Sequence, residues 1–141
     1  VAAQTFLYGN ASQQFSSAAW DWPDLQVSAL LVSAGYLPRI NSDVHVSDIP
    51  SAAILARSNA QSTYMASMTN VNGVCAGILP VFDAFANITP VAAIILYVDT
   101  GTDSTSSLIY FSNAGAGFPF TGQGFNYAVV NDQAYGGWFQ V

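Results

Sequence analysis

The chain has 141 residues, enough for one domain whose core needs neither disulfides nor a metal. Charged residues make up 7% of it, against about 25% in average soluble domains, and 52% are hydrophobic. Its surface must therefore be built mostly from Ser, Thr, Asn, Gln and Gly. Lys and Glu are absent, the cations are Arg39 and Arg57, and a net charge of −6 excludes the multiple cationic contacts that a nucleic-acid backbone draws on.

A mean hydropathy of +0.36 suggests a membrane. The longest unbroken apolar run, Val91–Val98, is nevertheless far short of the roughly 18 residues of a spanning helix, and no transmembrane segment is expected. The opening Val-Ala-Ala-Gln-Thr-Phe has no basic stretch before a long apolar one, so a signal peptide is expected to be absent or already removed. Cys75, the single cysteine, allows no internal disulfide. Abundant aliphatic and aromatic residues at moderate charge disfavour disorder.

In chain order, residues 5–19 predict a short helix, with Phe6, Leu7, Ala11, Phe15, Ala18 and Ala19 near i, i+4 spacing. Pro23 breaks it by driving Trp22 out of the α region. Leu25–Ser33 reads as a buried strand, and Gly35–Pro50 as a long polar excursion over the surface. From residue 52 onward, short apolar segments alternate with turn signals at roughly ten-residue intervals, the spacing of a sandwich or barrel. The predicted strands are Ala53–Ser58, Thr63–Thr69, Val74–Leu79, Val91–Tyr97, Ser107–Ser112, Phe125–Val130 and Gly137–Val141. Asn72-Gly73 is a two-residue hairpin signal, and Val91–Leu96, which lacks alternation, predicts a central strand buried on both faces. The expected fold is mainly β: a single-domain antiparallel β-sandwich or barrel over residues 24–141, preceded by a short N-terminal helix or arm over residues 1–23.

Several constellations carry candidate chemistry. Ile94-Ile95-Leu96-Tyr97-Val98-Asp99-Thr100-Gly101-Thr102 resembles the signature of aspartic proteases, in which two such carboxylates share a proton to activate water. Those enzymes place the Asp early and need a later apolar strand ending in Gly. Here 42 residues rich in Gly, Asn and aromatics follow Asp99, so a turn-capping Asp is the preferred reading. His45, the sole histidine, sits in a polar loop without a nucleophile elbow and reads as a surface or interface residue. Cys75 reads as an inert buried thiol. Asp99 and Asp103 with loop carbonyls could hold calcium, but the Asp-x-Asp-x-Asp-Gly spacing is missing, and no metal or cofactor is expected. Asp21 and Asp24 make no convincing glycosidase pair. Trp20, Trp22, Tyr36, Tyr135 and Trp138 could present flat faces to a glycan, although such rings more often serve as core or interface anchors.

The features in order are Leu7-Tyr8-Gly9-Asn10-Ala11 with Phe15, Asp21-Trp22, Tyr36-Leu37-Pro38, Ser47-Asp48-Ile49-Pro50, Ile94–Thr102 and Ser106-Ser107-Leu108-Ile109-Tyr110. In this arrangement the chain resembles a family of small tailed-bacteriophage virion proteins, over most of its length. The Tyr-x-Asp-Thr-Gly-Thr block is the most specific part and accounts for the protease-like tetrad. Val98 stands where the family commonly has Lys, Phe111-Ser112 replaces a usual Asp, and the stretch Phe118–Val141 fits loosely.

The resemblance implies a non-enzymatic virion structural protein. Its first form is a capsid cement or decoration protein on the outer surface of the phage head. Such a protein would bind the major capsid protein and further copies of itself, as a homotrimer by analogy. A tail or neck component is the alternative within that class; an enzyme at Asp99-Thr100-Gly101 and a glycan-binding module are the alternatives outside it. Scarce charge suits burial between subunits, where desolvating an unpaired ion costs several kcal/mol. Phe6, Tyr8, Phe15, Trp20 and Trp22 carry more apolar bulk than a solvated helix needs and are the candidate interface residues. The other reading of these rings is packing across the domain's own sheet.

Overall fold

Apolar residues without alternation demand burial on both faces, and the longest such run supplies the middle of the main sheet. The structure is a computed structural model and describes residues 4–58, 64–80, 82, 89–114, 118–119 and 137–141. Its strands are β1 (Thr5–Leu7), β2 (Val27–Val32), β3 (Ile54–Arg57), β4 (Ala66–Val71), β5 (Val74–Ile78), β6 (Ala93–Val98), β7 (Leu108–Ser112) and β8 (Phe139–Gln140). Helix α1 spans Gly9–Ser16. Two antiparallel sheets result, ordered β1-β7-β6-β2-β3 and β4-β5-β8. The domain is mainly β and sandwich-like, with one short N-terminal helix, as the segment spacing predicts. The predicted strand Phe125–Val130 lies outside the described residues.

β6 and β2 pair over six positions, from Val27 opposite Val98 to Val32 opposite Ala93, and every residue of β2 is buried. β7 flanks β6 on its other side with Ile95 opposite Phe111 and Leu96 opposite Tyr110. Successive β7 side chains point to opposite faces, so Phe111 and Tyr110 serve two different layers. On one face Phe111 stacks on Phe6 at 5.1 Å and meets Tyr36 edge-on at 6.3 Å. On the other face Tyr110 stacks on Phe139 of β8 at 5.5 Å, joining the two sheets. Trp22 packs edge-on against the same Phe139 at 5.0 Å and donates its indole N–H to the Ala76 carbonyl of β5. Trp138 donates likewise to the Gly77 carbonyl.

The predicted helix over residues 5–19 is shorter than expected and starts later. Thr5, Phe6 and Leu7 pair instead with Ser112, Phe111 and Tyr110, because the open edge of β7 offers both a hydrogen-bonding ladder and a ring for Phe6 to cover. This tertiary gain overrides a helical pattern already weakened by Gly9. The Gly9 N–H bonds to the Ile40 carbonyl at 2.7 Å, and a Cβ at Gly9 would displace the Asn41 side-chain amide and crowd the Ile40 carbonyl, so glycine lets the first turn of α1 rest closely on that loop. The helix ends where Ala18 turns left-handed at φ 60°.

The polar excursion over residues 35–50 is more deeply built in than a surface loop. Tyr36, Asp43, Val46 and Ile49 are buried. Residues 44–46 continue the edge that β1 begins: Leu108 N–H donates to the Val44 carbonyl, His45 bridges Ser107, and Val46 N–H donates to the Ser106 carbonyl. The boundary drawn after residue 23 likewise marks no separate unit, since β1 is a strand of the main sheet and Trp22 lies beneath the second one.

Asn72 and Gly73, at φ 53° and 82°, form the tight turn between β4 and β5 that the Asn-Gly pair predicts. β4 carries a bulge between Ala66 and Thr69, with Ser67 at φ 55°. Opposite it Gly77 leaves room for Met65 and Met68, whose side chains a Cβ there would strike.

Candidate functional site

Asp99 follows β6 directly, as the strand-to-turn motif requires, and its carboxylate works as a turn cap. One oxygen accepts the Gly101 N–H at 2.8 Å, where φ 85° at Gly101 requires glycine; the other accepts the Ser28 hydroxyl at 2.9 Å. The rest of the loop is knitted by hydroxyls: Thr100 N–H donates to Ser106 Oγ, whose own proton goes to the Thr102 carbonyl. Asp103, the neighbouring acid, is gripped by both terminal nitrogens of Arg57 at 2.9 Å, which holds its carboxyl below the usual carboxylate range. The two acids are thus engaged in different bonds and share no proton. Asp99→Asn keeps an oxygen for Gly101 and offers Ser28 a donor instead of an acceptor, so it is expected to change unfolding free energy by less than about 1 kcal/mol. Asp99→Ala, which orphans both donors, is expected to lose about 1–3 kcal/mol in urea titrations.

A second polar centre joins the N-terminal segment to the 35–50 excursion. Tyr36 donates its hydroxyl proton to Asp43 Oδ2 at 2.8 Å and lies 2.8 Å from the Tyr8 hydroxyl, which is left to donate to it. Arg39 gives its backbone N–H to Oδ2 and two guanidinium N–H groups to Oδ1. The Asp43 side chain has no solvent exposure. Burial pushes the Tyr8 and Tyr36 phenols far above their ordinary range.

The backbone N–H groups of Val44 and His45 donate to Asp48 Oδ2, which holds the Asp48 carboxyl below its ordinary range. Cys75 is buried on β5, and burial pushes its thiol up to about 11. Trp22, Tyr36 and Trp138 are buried and cannot offer faces to a glycan; Tyr135 lies outside the described residues. Among the described residues no group of three His, Cys, Asp or Glu side chains could hold a metal ion. Among the described residues, those that line a cavity of about 690 Å³ at the end of the main sheet are uncharged, Ser33, Pro90, Asn113 and Phe118 among them. Ser33 Oγ and Asn113 Oδ1 there accept backbone N–H groups of Gly35 and Gln4.

Of the five candidate interface residues, Tyr8 and Trp22 are wholly buried within the domain and are core side chains. Phe6, Phe15 and Trp20 keep part of their surface: Phe6 covers the β1–β7 edge, while Phe15 holds Trp20 edge-on at 5.5 Å. Among the described residues the largest apolar exposures lie elsewhere. Leu37 is 77% exposed, Ile78 65% and Val71 63%, with Ile40 and Tyr64 also on the surface. The signal for the hairpin part of this set is a run without Asp, Glu, Lys, Arg or His from residue 58 to residue 82, which also contains β4 and β5.

No family model, curated protein or solved structure matches the chain.

Proposed function

We propose that this chain is a non-enzymatic structural protein of a tailed-bacteriophage virion, and specifically a cement or decoration protein on the head exterior. It would bind the major capsid protein and further copies of itself. The observation that carries this reading is a surface poor in charge yet rich in exposed aliphatic side chains. Both arginines are taken up by Asp43 and Asp103, while Leu37, Val71 and Ile78 face solvent. Apolar area removed from water contributes roughly 25 cal/mol per Å², before the costs of association. A side chain as exposed as Leu37 gives nothing to the isolated fold and gains only when a partner covers it. The net charge of −6 suits a position on the outside of the shell, away from packaged DNA. The resemblance in the Tyr-x-Asp-Thr-Gly-Thr block points the same way.

The test is to strip the protein from heads and add the purified chain back. Bare shells are expected to open at lower temperature or under milder chelation and low salt, and the added chain to restore their stability at saturating stoichiometry. Leu37→Asp should weaken this rebinding about tenfold or more, while Asp99→Asn should leave it unchanged. Failure to bind any shell, binding confined to tails, or peptide hydrolysis by the natural chain that Asp99→Asn abolishes would each overturn the reading.

A further inference from the structure

We propose that the loop over residues 36–43 is the tip by which this chain docks: Leu37 and Ile40 enter an apolar hollow of a partner protein, and Arg39 between them bonds a carboxylate at the rim of that hollow. The inference rests on the cement reading, which makes the partner the major capsid protein, and it names the face and the chemistry of that contact.

The loop is closed on itself before any partner arrives. The Arg39 carbonyl accepts the N–H groups of Ser42 and Asp43 at 3.1 and 2.9 Å, and the Ile40 carbonyl accepts the Gly9 N–H. The buried Asp43 carboxylate takes the Arg39 backbone N–H, Arg39 Nε and Nη2, and the Tyr36 hydroxyl. The base of the loop is thus fixed while its crest stands in solvent: Leu37 is 77% exposed, the Arg39 side chain 66% and Ile40 42%. Single aliphatic side chains scattered over a surface are ordinary; here two of them flank an arginine on one rigid crest, the make-up of an interface hot spot. Held in water they contribute nothing to the isolated fold, and a partner that covers them has little ordering to do.

The guanidinium fixes what the partner must offer. Arg57 commits both terminal nitrogens to Asp103, whereas Arg39 turns Nε and Nη2 to one oxygen of Asp43 and keeps Nη1 without a hydrogen bond among the described residues. Arginine is always charged and has donors only, so these two N–H groups select an acceptor, and an anionic one most strongly. An extended anionic surface is excluded: at net charge −6 the chain is repelled by a phosphate backbone or an acidic bilayer, which one half-engaged cation does not offset. A lone carboxylate at the edge of an apolar hollow fits, because the aliphatic pair then shields the charged bond from water. This chain's own cavities of about 690 and 360 Å³ have no acidic side chain among the described residues that line them. Leu37 of a second copy seated in either would leave Arg39 unmatched, so the occupant is a different protein.

The test takes stripped phage heads as the probe and reads the affinity of the full chain for them by co-sedimentation. Leu37→Ser and Arg39→Gln should each weaken binding about tenfold or more, and Arg39→Lys should not restore it, since an ammonium lacks the fork that serves Asp43 and a second carboxylate together. Val71→Ser and Ile78→Ser, at exposed sites on the β4–β5 hairpin, should leave binding unchanged. Amidating the carboxylates of intact heads with a carbodiimide and glycinamide should weaken the natural chain to the level of Arg39→Gln and leave Arg39→Gln where it was, as for two groups that touch. If Arg39→Gln fails to fold, Leu37→Ser and the amidated heads decide the matter. Binding that Leu37→Ser, a folded Arg39→Gln or amidation leaves unaltered overturns the docking tip and spares the cement reading. So does amidation that weakens Arg39→Gln as much as the natural chain. Self-association that Arg39→Gln abolishes makes a second copy the occupant and overturns the proposal too. A chain that binds no head overturns both readings.

Discussion

Asp43→Ala should remove about 3–5 kcal/mol of unfolding free energy, a large share of the roughly 5–15 kcal/mol that holds a typical domain together. The buried carboxylate accepts four hydrogen bonds from the protein, and its loss strands the Tyr36 hydroxyl and the Arg39 N–H. Each stranded buried donor costs about 1–3 kcal/mol. The Arg39 side chain is 66% exposed and can turn to solvent, so the loss comes from the buried side of the network and not from the ion pair as such. The variants should therefore rank Asp43→Ala, then Asp43→Asn, then Tyr36→Phe, while Arg39→Ala, which strips the buried Oδ1 of both its guanidinium donors, should lose about 1–3 kcal/mol. Urea midpoints followed by circular dichroism check the order. Equal losses for Asp43→Ala and Arg39→Ala would show that the exposed pair, and not the buried donors, carries the stability. The network also ties Tyr8, just after β1, to the 35–50 excursion, so its failure should loosen both layers over Phe111 together.

The strands were legible where one period dominated. Val91–Leu96 predicts a strand buried on both faces, and β6 is one, because no alternation leaves no face for water. The Asn-Gly turn was legible because few sequences adopt two consecutive positive φ values. The N-terminus was not. Its i, i+4 spacing is real, yet the edge of β7, more than a hundred residues away in sequence, decides that Thr5–Leu7 extend. Asp43 reads as one polar residue among several in a loop; its burial depends on where Tyr36 and Tyr8 meet, which local patterning does not record. For the candidate site, aromatic bulk pointed to Phe6, Tyr8, Phe15, Trp20 and Trp22, and two of these proved to be core because an indole or phenol that finds a polar partner inside packs as well as any aliphatic. The exposed aliphatics of the hairpin were the better surface signal. Absence of charge over a long stretch is easily mistaken for burial.

In alkali the fold should fail cooperatively, with the first loss of stability near pH 10 and collapse by about pH 12. Burial, the largest cause at each, raises the phenols of Tyr8 and Tyr36 far above the usual value near 10 and pushes Tyr97 up to about 12. Tyr97 is raised further by the neighbouring Asp99, while Arg57 and Ser28 draw it the other way. Below pH 9 these groups are protonated whether the chain is folded or not, so they leave stability flat. As pH passes 10 the unfolded chain sheds phenolic protons that the folded chain keeps. The native state then binds more protons than the unfolded one, and stability falls with rising pH. Each such group contributes about 1.4 kcal/mol per pH unit, so three together approach about 4 kcal/mol per unit once the unfolded chain is fully ionised. Cys75, pushed up to about 11, begins the same trend slightly earlier. Phenolate absorbance near 295 nm should therefore rise in step with the loss of the far-UV signal, and Tyr36→Phe or Tyr97→Phe should each reduce the slope by about a third. Smooth titration of these three tyrosines near pH 10 in a chain that keeps its circular dichroism would mean that their hydroxyls reach water, and the packing of Tyr8 and Tyr36 over Asp43 would have to be redrawn.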